Sequence, residues 1–184
     1  MRFILGRAAT REEVEAEWAE RLGPRSDVAR GLGYWVGFEE ERFVGWWSAS
    51  SFVVDPTRSG VGYRLVQDAW GRGLATEGGR ALVAQAFSVP GVDRVVASTM
   101  AVNTASRAVL AKLGMTHVDT YAGSWADPLP GWEQGEVVYE LLKEARIDEP
   151  HATSTTPPTN SAPRPGSSVV VEERSSHTSE TSKR

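Results

Sequence analysis

The sequence predicts a mixed α/β domain of the α+β class, and three observations support this prediction. A helix-like segment comes first, two strand-like segments follow, and strands alternate with helices only in the middle of the chain. This order excludes an α/β barrel, in which strands and helices alternate throughout. Hydrophobic residues make up 40% and charged residues 24% of the 184 residues, as in ordinary globular proteins. The composition therefore excludes collagen-like, coiled-coil and wholly disordered chains.

The first part of the chain predicts one helix and a hairpin. Thr10 and Glu13 form a capping box, in which each side chain can accept a hydrogen bond from a backbone N–H at the helix start. Behind them Val14, Trp18 and Leu22 recur every four residues and predict an apolar stripe along one helix face. Two strand-like runs, at 33–38 and 43–50, then flank a polar turn.

The rest of the domain predicts strands that alternate with helices. Apolar residues at helical spacing predict helices at 74–87 and 104–113, the second of which is closed by Gly114. Strand-like runs occupy 61–66, 92–98, 115–121 and 137–142.

The composition changes sharply near Arg146. From residue 147 to residue 184, 19 of 38 residues are Ser, Thr or Pro, and no aromatic residue occurs. Such a segment cannot bury enough apolar surface to offset its ordering entropy. We therefore expect a globular domain at 1–146 and a disordered tail at 147–184, in which Val169 to Val171 pair at most transiently with a sheet edge.

Charge and residue usage exclude several classes of function. The net charge of −4 argues against a nucleic-acid binder, whose footprint is usually basic. The chain has no cysteine, which excludes a disulfide framework, a thiolate metal site and a cysteine nucleophile. No run of eighteen apolar residues occurs, so no transmembrane helix is predicted. We expect a soluble cytoplasmic protein that contacts neither nucleic acid nor membrane.

One segment has the properties of a phosphate-binding loop. The predicted strand at 61–66 leads into Trp70-Gly71-Arg72-Gly73-Leu74-Ala75-Thr76-Glu77, and a helix starts within that stretch. Backbone N–H groups at a glycine-bearing turn and a helix N-terminus form a pyrophosphate site. The alternative is that both glycines only permit a tight turn. Neither a P-loop, which needs Gly-Lys-Ser/Thr, nor a dinucleotide fingerprint matches this spacing.

Three motifs in this order resemble the GNAT superfamily of acetyl-CoA-dependent N-acetyltransferases, in particular its ribosomal-protein-alanine acetyltransferase-like branch. They are Gly62-Tyr63-Arg64-Leu65, the stretch from Trp70 to Glu77, and Asn103-Thr104-Ala105-Ser106 followed by Leu113-Gly114-Met115. The resemblance covers residues 7–146 and implies a twisted mixed sheet flanked by helices. It further implies acetyl-CoA as cosubstrate, no metal, and acetyl transfer to a primary amine on a small molecule or a protein N-terminus.

The resemblance also implies which residues bind the cofactor. In the family, main-chain amides of the loop bind the CoA pyrophosphate, here those of Arg72, Gly73, Leu74 and Ala75, with Trp70, Gly71 and Thr76 beside them. Asn103 is implied to bond the pantetheine arm, although an Asn before a helix can equally be its cap. Trp70 stands where the family usually has Gln or Arg, so one side-chain contact to phosphate is expected to be absent.

The usual catalytic acid and base of the family are both replaced in this sequence. Leu110 occupies the position of the usual tyrosine acid, and Ser106 is the replacement used in this branch, unless it is an ordinary helix serine. Gly60 occupies the usual glutamate base position. Glu133 and Glu136 are the other carboxylate candidates, unless they are solvated loop charges. Main-chain N–H groups of Leu65 or Val66 are implied as donors to the developing oxyanion.

The acceptor site is expected along the hairpin. Trp46 and Trp47 point to opposite faces of their strand, so one should be in the core and the other should line the acceptor cleft. Tyr63 is also implied to contact substrate. His117 has no metal or triad spacing around it and is expected to be a half-buried strand residue.

Family members usually begin with a strand and a helix before the region that matches Met1. The chain as given is therefore expected to lack them, which leaves a strand edge that an upstream segment or a partner chain, such as the second copy of a homodimer, would cover. We favour an upstream start. Because Gly60 and Leu110 replace the usual base and acid, a catalytically degenerate CoA-binding regulatory module is the alternative function. A third reading is an interaction protein that binds no CoA.

Overall fold

The computed structural model describes residues 7–22, 27–122, 128–144 and 170–173 of the chain. This part of the chain forms three α-helices and one sheet of seven strands. The helices are α1 (Arg11–Arg21), α2 (Leu74–Ser88) and α3 (Thr104–Lys112). The strands are β1 (Gly33–Glu39), β2 (Arg42–Ser51), β3 (Arg58–Leu65), β4 (Arg94–Met100), β5 (Thr116–Tyr121), β6 (Glu136–Leu142) and β7 (Val170–Glu173).

The sheet is mixed, with the strand order β5-β6-β4-β3-β2-β1-β7. β1, β2 and β3 form an antiparallel meander, and α2 then returns the chain so that β4 runs parallel to β3. β6 inserts between β4 and β5 and is antiparallel to both. The mixed α/β fold predicted from the sequence is confirmed, and each helix and strand expected in the domain lies within a few residues of its predicted place.

The hydrophobic core lies between the sheet and α2 with α3. Trp47 of β2 is its largest fully buried side chain. A Cβ on Gly78 would lie 2.3 Å from the Trp47 indole nitrogen. Because Gly78 has no side chain, the indole can rest directly on the α2 backbone. Val83, Val95 and Leu110 belong to the same buried cluster.

Helix α1 lies over the opposite face of the sheet. Its predicted capping box is confirmed, because the backbone N–H of Thr10 donates to Glu13 Oε2 at 2.8 Å and that of Glu13 donates to Thr10 Oγ1 at 3.2 Å. Its predicted apolar stripe is largely wrong, since Val14 and Leu22 are 36% and 59% exposed. Trp18 is the stripe residue that packs on the sheet.

The expected tail contributes one strand to the sheet. β7 pairs antiparallel with β1 and extends the outer edge of the meander. Residues 170–173 include most of the valine run for which the sequence predicts transient pairing with a sheet edge, and valine is a β-forming residue. The rest of the expected tail lies outside the described residues.

The centre of the sheet opens between β3 and β4. Their parallel pairing ends at Gly60 and Val96, after three residues on each strand. β3 continues to Leu65 and β4 to Met100, so the two strands form a wedge-shaped gap. Backbone groups on the inner edges of the wedge are available to a ligand, because they are not used for strand pairing.

Candidate active site

An open cleft of about 1100 Å³ occupies the wedge and extends to the N-terminus of α2. The inner residues of β3 line one side of it and those of β4 line the other. Most of the site residues predicted from the sequence line this cleft: Trp46, Tyr63, Leu65, Val66, Trp70, Gly71, Gly73, Leu74, Ala75, Thr76, Asn103, Ser106 and Glu136. Trp47, Arg72 and Glu133 are the predicted residues that do not line it.

The turn before α2 has the geometry of an anion site. Gly71 and Gly73 have φ angles of +71° and +86°, which favour glycine. A Cβ at either residue would point into open space, with no atom within 4 Å. Gly73 is the N-cap of α2 and no side chain caps the helix. The first-turn N–H groups of Leu74 and Ala75 therefore lie open at the positive end of the helix dipole, which suits a pyrophosphate.

Neighbouring residues fix the position of this turn. The Arg72 guanidinium forms a two-pronged ion pair with Glu39 of β1, in which Nη1 lies 3.0 Å from Oε2, and this pair holds the pKa of Glu39 below its usual range. The Trp70 indole donates to the Leu65 carbonyl at 3.0 Å. Thr76 lines the cleft, but its backbone N–H donates to the Gly73 carbonyl at 3.0 Å.

The backbone of β3 offers one of the two predicted oxyanion donors to the cleft. The Val66 N–H donates to the Val44 carbonyl at 3.0 Å and is therefore engaged with β2, which favours Leu65 of the two predicted donors. N–H groups alternate in direction along an antiparallel strand. The Leu65 N–H therefore points away from β2, toward the wedge.

Two hydroxyl groups meet at the α3 side of the wedge. Tyr63 Oη lies 3.2 Å from Ser106 Oγ. Burial raises the pKa of Tyr63, which keeps the phenol protonated at neutral pH. Asn103 caps α3 through Oδ1, which accepts from the Ser106 N–H at 3.2 Å, and its Nδ2 donates to Thr99 Oγ1 at 3.1 Å. Asn103 is thus a helix cap that also lines the cleft.

The structure separates the two candidate glutamates. Glu136 begins β6, lines the cleft and accepts a hydrogen bond from Tyr121 Oη at 2.5 Å. This bond raises the pKa of Tyr121 to about 12, so the phenol remains the donor of the pair. Glu133 lies in an exposed turn outside the cleft.

The hairpin tryptophans have different roles. Trp47 is 1% exposed and is therefore the member of the pair that belongs to the core, which leaves Trp46 as the candidate for substrate contact. Trp46 lines the cleft from the α1 face of the sheet. Tyr63 pairs with Trp47 across β2 and β3 and therefore shares its face, which places Tyr63 beside Ser106 and on the opposite face from Trp46.

Trp46 is part of an aromatic and charged wall of the cleft that the sequence analysis missed. Its ring lies 5.6 Å from that of Trp18 and 5.9 Å from that of Tyr34, and the guanidinium groups of Arg21 and Arg64 lie 5.3 and 5.1 Å from its centroid. The alternation of side chains along paired strands could have predicted that Arg64 shares a face with Trp46. The position of Arg21 beside Trp46 could not be predicted, because it depends on how α1 packs on the sheet.

Glu17 of α1 joins the two arginines of this wall. Its carboxylate accepts from Arg64 Nη2 at 2.6 Å and Nη1 at 3.0 Å, and from Arg21 Nη2 at 2.6 Å. Hydrogen bonds from Arg64 lower the pKa of Glu17. The carboxylate therefore stays charged and holds α1 against β3.

The described residues include no metal site. No three His, Asp or Glu side chains among them form a group that could hold a metal ion. His117 is exposed on β5, and its Nε2 lies 2.8 Å from the Asp119 carbonyl oxygen. In the same part of the chain no helix is long and apolar enough to cross a bilayer.

Sequence comparison links the chain to acetyltransferases. A family model described as an acetyltransferase (GNAT) domain matches residues 1–116. The FsC-acetyl coenzyme A-N(2)-transacetylase of Aspergillus fumigatus is 42% identical over 134 residues, which cover 67% of this chain and 56% of that protein. The chain thus spans little more than half the length of this relative.

Solved structures show the same fold at low sequence identity. The ribosomal L7/L12 alpha-N-protein acetyltransferase RimL, in complex with coenzyme A, matches with a TM-score of 0.60, 20% identity and coverage of 74% of this chain and 75% of that chain. A GNAT-family acetyltransferase from Bacillus anthracis matches with a TM-score of 0.59, 19% identity and coverage of 78% and 81%.

Proposed function

Because the chain belongs to the GNAT acetyltransferase family, we propose that it transfers an acetyl group from acetyl-CoA to a primary amine by direct attack in a ternary complex. The amine nitrogen bonds to the thioester carbonyl carbon, the carbon–sulfur bond breaks, and an amide and CoA thiol result. The nitrogen loses one proton and the sulfur gains one, so the site needs both a proton acceptor and a proton donor.

The observation that carries this proposal is the continuity between the α2 N-terminus and the wedge. The N–H groups of Leu74 and Ala75, next to the bare turn at Gly71 and Gly73, fit the CoA pyrophosphate. The wedge between β3 and β4 is open to an extended arm that reaches from there into the middle of the sheet. Acetyl-CoA supplies the activated acetyl group.

Residues around the wedge fit the three chemical needs of the reaction. The Leu65 N–H is placed to stabilise the developing oxyanion. The Tyr63 and Ser106 hydroxyls, 3.2 Å apart, form a proton donor for the departing thiolate. Among the described residues that line the cleft, Glu136 is the carboxylate that can take a proton from the amine, directly or through water.

A matched pair of glutamate variants tests the assignment of the base. We expect Glu136→Gln to lower kcat/KM about 100-fold, the lower end of what general base catalysis usually contributes. The amide can still accept the Tyr121 hydrogen bond, so the fold should be preserved. Glu133→Gln removes an equal charge from the same segment outside the cleft and should be silent. Equal activity of the two variants would remove Glu136 from the proposed mechanism.

For the acceptor amine, we propose a class of molecule. The branch resemblance in the sequence favours a protein N-terminal amine, whereas the relative at 42% identity is named for transfer to an N(2) nitrogen of FsC. We propose a small-molecule amine as the first choice, because that identity is much higher than the 20% to RimL. A cytoplasmic location and a homodimer belong to the same proposal, to be checked by cell fractionation and sedimentation.

A catalytically degenerate CoA-binding module is the second candidate function. Gly60 lines the cleft and stands, by the sequence resemblance, at the usual glutamate position, and a Cβ there would lie 2.8 Å from Ser50 Oγ. Leu110, at the usual tyrosine position, is 3% exposed. Both replacements favour a site that binds CoA without turnover.

Two measurements on the full chain separate these functions. Calorimetry with acetyl-CoA reports binding, and release of free thiol in the presence of an amine panel reports transfer. Binding with amine-dependent thiol release supports the transferase, and binding without release by any amine supports the degenerate module. Absence of acetyl-CoA binding would contradict both and would favour an interaction protein.

A further inference from the structure

A bulge in β5 determines which side chain lies opposite Glu136. β5 pairs antiparallel with β6, but the register shifts by one residue at Val118, which is therefore the extra residue of a β-bulge. Beyond the bulge, Tyr121 is the direct partner of Glu136. In a regular strand Thr120 would occupy that place, and the Tyr121 side chain would point to the other face of the sheet.

The bulge thereby brings the Tyr121 phenol to the face of the sheet on which the family's usual base position lies. Tyr121 and Glu136 are directly opposite and share a face. Glu136 is also the partner of Met100, which lies four residues after Val96 on the same face of β4. Val96 is the partner of Gly60, the residue that stands at the usual glutamate position by the sequence resemblance. The Glu136 carboxylate therefore lies on the Gly60 face, on the other side of the wedge.

The phenol engages one oxygen of this carboxylate and leaves the other open. Tyr121 Oη donates to Glu136 Oε2 at 2.5 Å. Because this bond raises the pKa of Tyr121 to about 12, the phenol keeps its proton at neutral pH and remains the donor. Within the described part of the chain, Glu136 Oε1 has no hydrogen-bond partner. One oxygen is therefore held in place, and the other is left to accept a proton from a ligand.

The backbone around this pair is closely packed, which fixes the phenol relative to the cleft. Gly135 has a φ of +77°, and a Cβ there would lie 2.5 Å from the Tyr121 carbonyl oxygen. The Gly135 carbonyl accepts from the Ala101 N–H at 2.9 Å, which ties the same residue to the end of β4. The chain on both sides of the Tyr121 to Glu136 bond thus has a fixed position.

We propose that Tyr121 is a positioning residue for acetyl transfer, which holds Glu136 Oε2 so that Oε1 faces the amine, and that the Val118 bulge places it there. This inference rests on the proposed function, because it takes Glu136 as the base. The amine proton passes to Oε1, and Tyr121 keeps its own proton throughout. Tyr121 does not line the cleft, so it acts through Glu136. Bulges that re-aim a side chain are common beside active sites.

A double-mutant cycle on the full chain tests this role. We expect Tyr121→Phe to lower kcat about tenfold, the effect of about one hydrogen bond to a charged group, with an unchanged KM for acetyl-CoA. In the Glu136→Gln background, adding Tyr121→Phe should have no further effect on kcat, because the phenol acts only through the carboxylate. A merely structural role would lower kcat by the same factor in both backgrounds.

Thr120→Val is the matched control, since it removes a β5 hydroxyl that contacts His117 outside the cleft and should keep the wild-type kcat. A loss in Tyr121→Phe that disappears in the Glu136→Gln background supports the inference. Wild-type kcat in Tyr121→Phe, losses that multiply in the double variant, or a silent Glu136→Gln overturns it while the wild type still releases thiol. Absence of thiol release by the wild type with every amine is a different result, which overturns the proposed function and this inference together.

Discussion

At the scale of single residues, Gly73 controls the predicted pyrophosphate site through its backbone. Its φ of +86° and the open space beyond its α-carbon leave room for a phosphate group next to the α2 N-terminus. We expect Gly73→Ala to weaken acetyl-CoA binding by about 2 kcal/mol, comparable to the loss of a charge-assisted hydrogen bond. Calorimetry on the folded variant measures this change.

Gly91 provides a control for the strain that the alanine introduces. It has a φ of +83° and the same open surroundings, but it lies in the turn before β4, outside the cleft. Gly91→Ala should lose a similar amount of folding stability, roughly 1 kcal/mol, with unchanged acetyl-CoA affinity. If both variants bind acetyl-CoA as the wild type does, the loop does not hold the pyrophosphate.

The Tyr63 and Ser106 pair makes a second prediction at this scale. In the proposed mechanism the two hydroxyls act only when the thiolate leaves, so Tyr63→Phe and Ser106→Ala should lower kcat while acetyl-CoA affinity stays close to wild type. The decrease should be near tenfold to 100-fold, since a thiolate with a pKa near 8.5 can also leave without help. Steady-state kinetics with calorimetry separates the two effects. A matching loss of affinity would make the pair a binding contact instead.

At the scale of elements, α1 is attached to the sheet by the Glu17 carboxylate and by one aromatic residue, Trp18, rather than by a continuous apolar stripe. Hydrogen bonds from Arg64 hold the pKa of Glu17 below its usual value. Because the folded pKa is the lower one, this contribution to stability is complete above about pH 4.3 and is lost as the pH falls through the folded pKa. We expect amide exchange in α1 to accelerate over that acidic range before exchange in β2 or β3 does.

Variants on α1 identify the group responsible. Glu17→Gln should show fast α1 exchange already at neutral pH and little further change in acid. Glu15→Gln, which alters only an exposed ion pair, should follow the wild type. A wild-type acid transition that persists in Glu17→Gln would assign it to another carboxylate, such as Glu13, whose pKa is lowered to about 2 by Arg7 and the helix start.

The helices and strands themselves could be predicted well, because the spacing of apolar residues, the helix caps and the turn residues are local properties of the sequence. Thr10, Glu13 and Gly73 mark helix starts in sequence and in structure. Contacts between elements could not be predicted. Which of Trp46 and Trp47 is buried depends on the face that α2 covers. The engagement of Val66 with β2 follows from hydrogen-bond register, which the sequence does not show.

At the scale of the whole molecule, β7 covers the outer edge of β1. The strand is only four residues long, and bringing it to β1 across the long stretch of sequence that separates it from β6 costs entropy. Truncation after Arg146 should therefore reduce stability by about 1 kcal/mol, or about 2–4 °C in Tm. It should also speed amide exchange in β1 and increase self-association, because an uncovered strand edge pairs with other chains.

Proline variants in the full chain test the same contact. Successive N–H groups of a strand alternate in direction, so only one of Val170→Pro and Val171→Pro removes a donor to β1. One variant should reproduce the faster β1 exchange of the truncated chain, and the other should have less effect. Unchanged β1 exchange after truncation would show that β7 does not protect this edge in solution.

The proposed binding of acetyl-CoA in the wedge between β3 and β4 also links the stability of the protein to metabolism. A sheet with a gap at its centre gains partners for its backbone when the gap is filled, so the donor molecule acts as a folding ligand. At a hundred times its dissociation constant such a ligand adds about 2.7 kcal/mol to the free energy of unfolding. Starvation for acetyl-CoA should then raise the unfolded fraction of this chain and its degradation by proteases, and the abundance of the protein should follow the supply of acetyl groups.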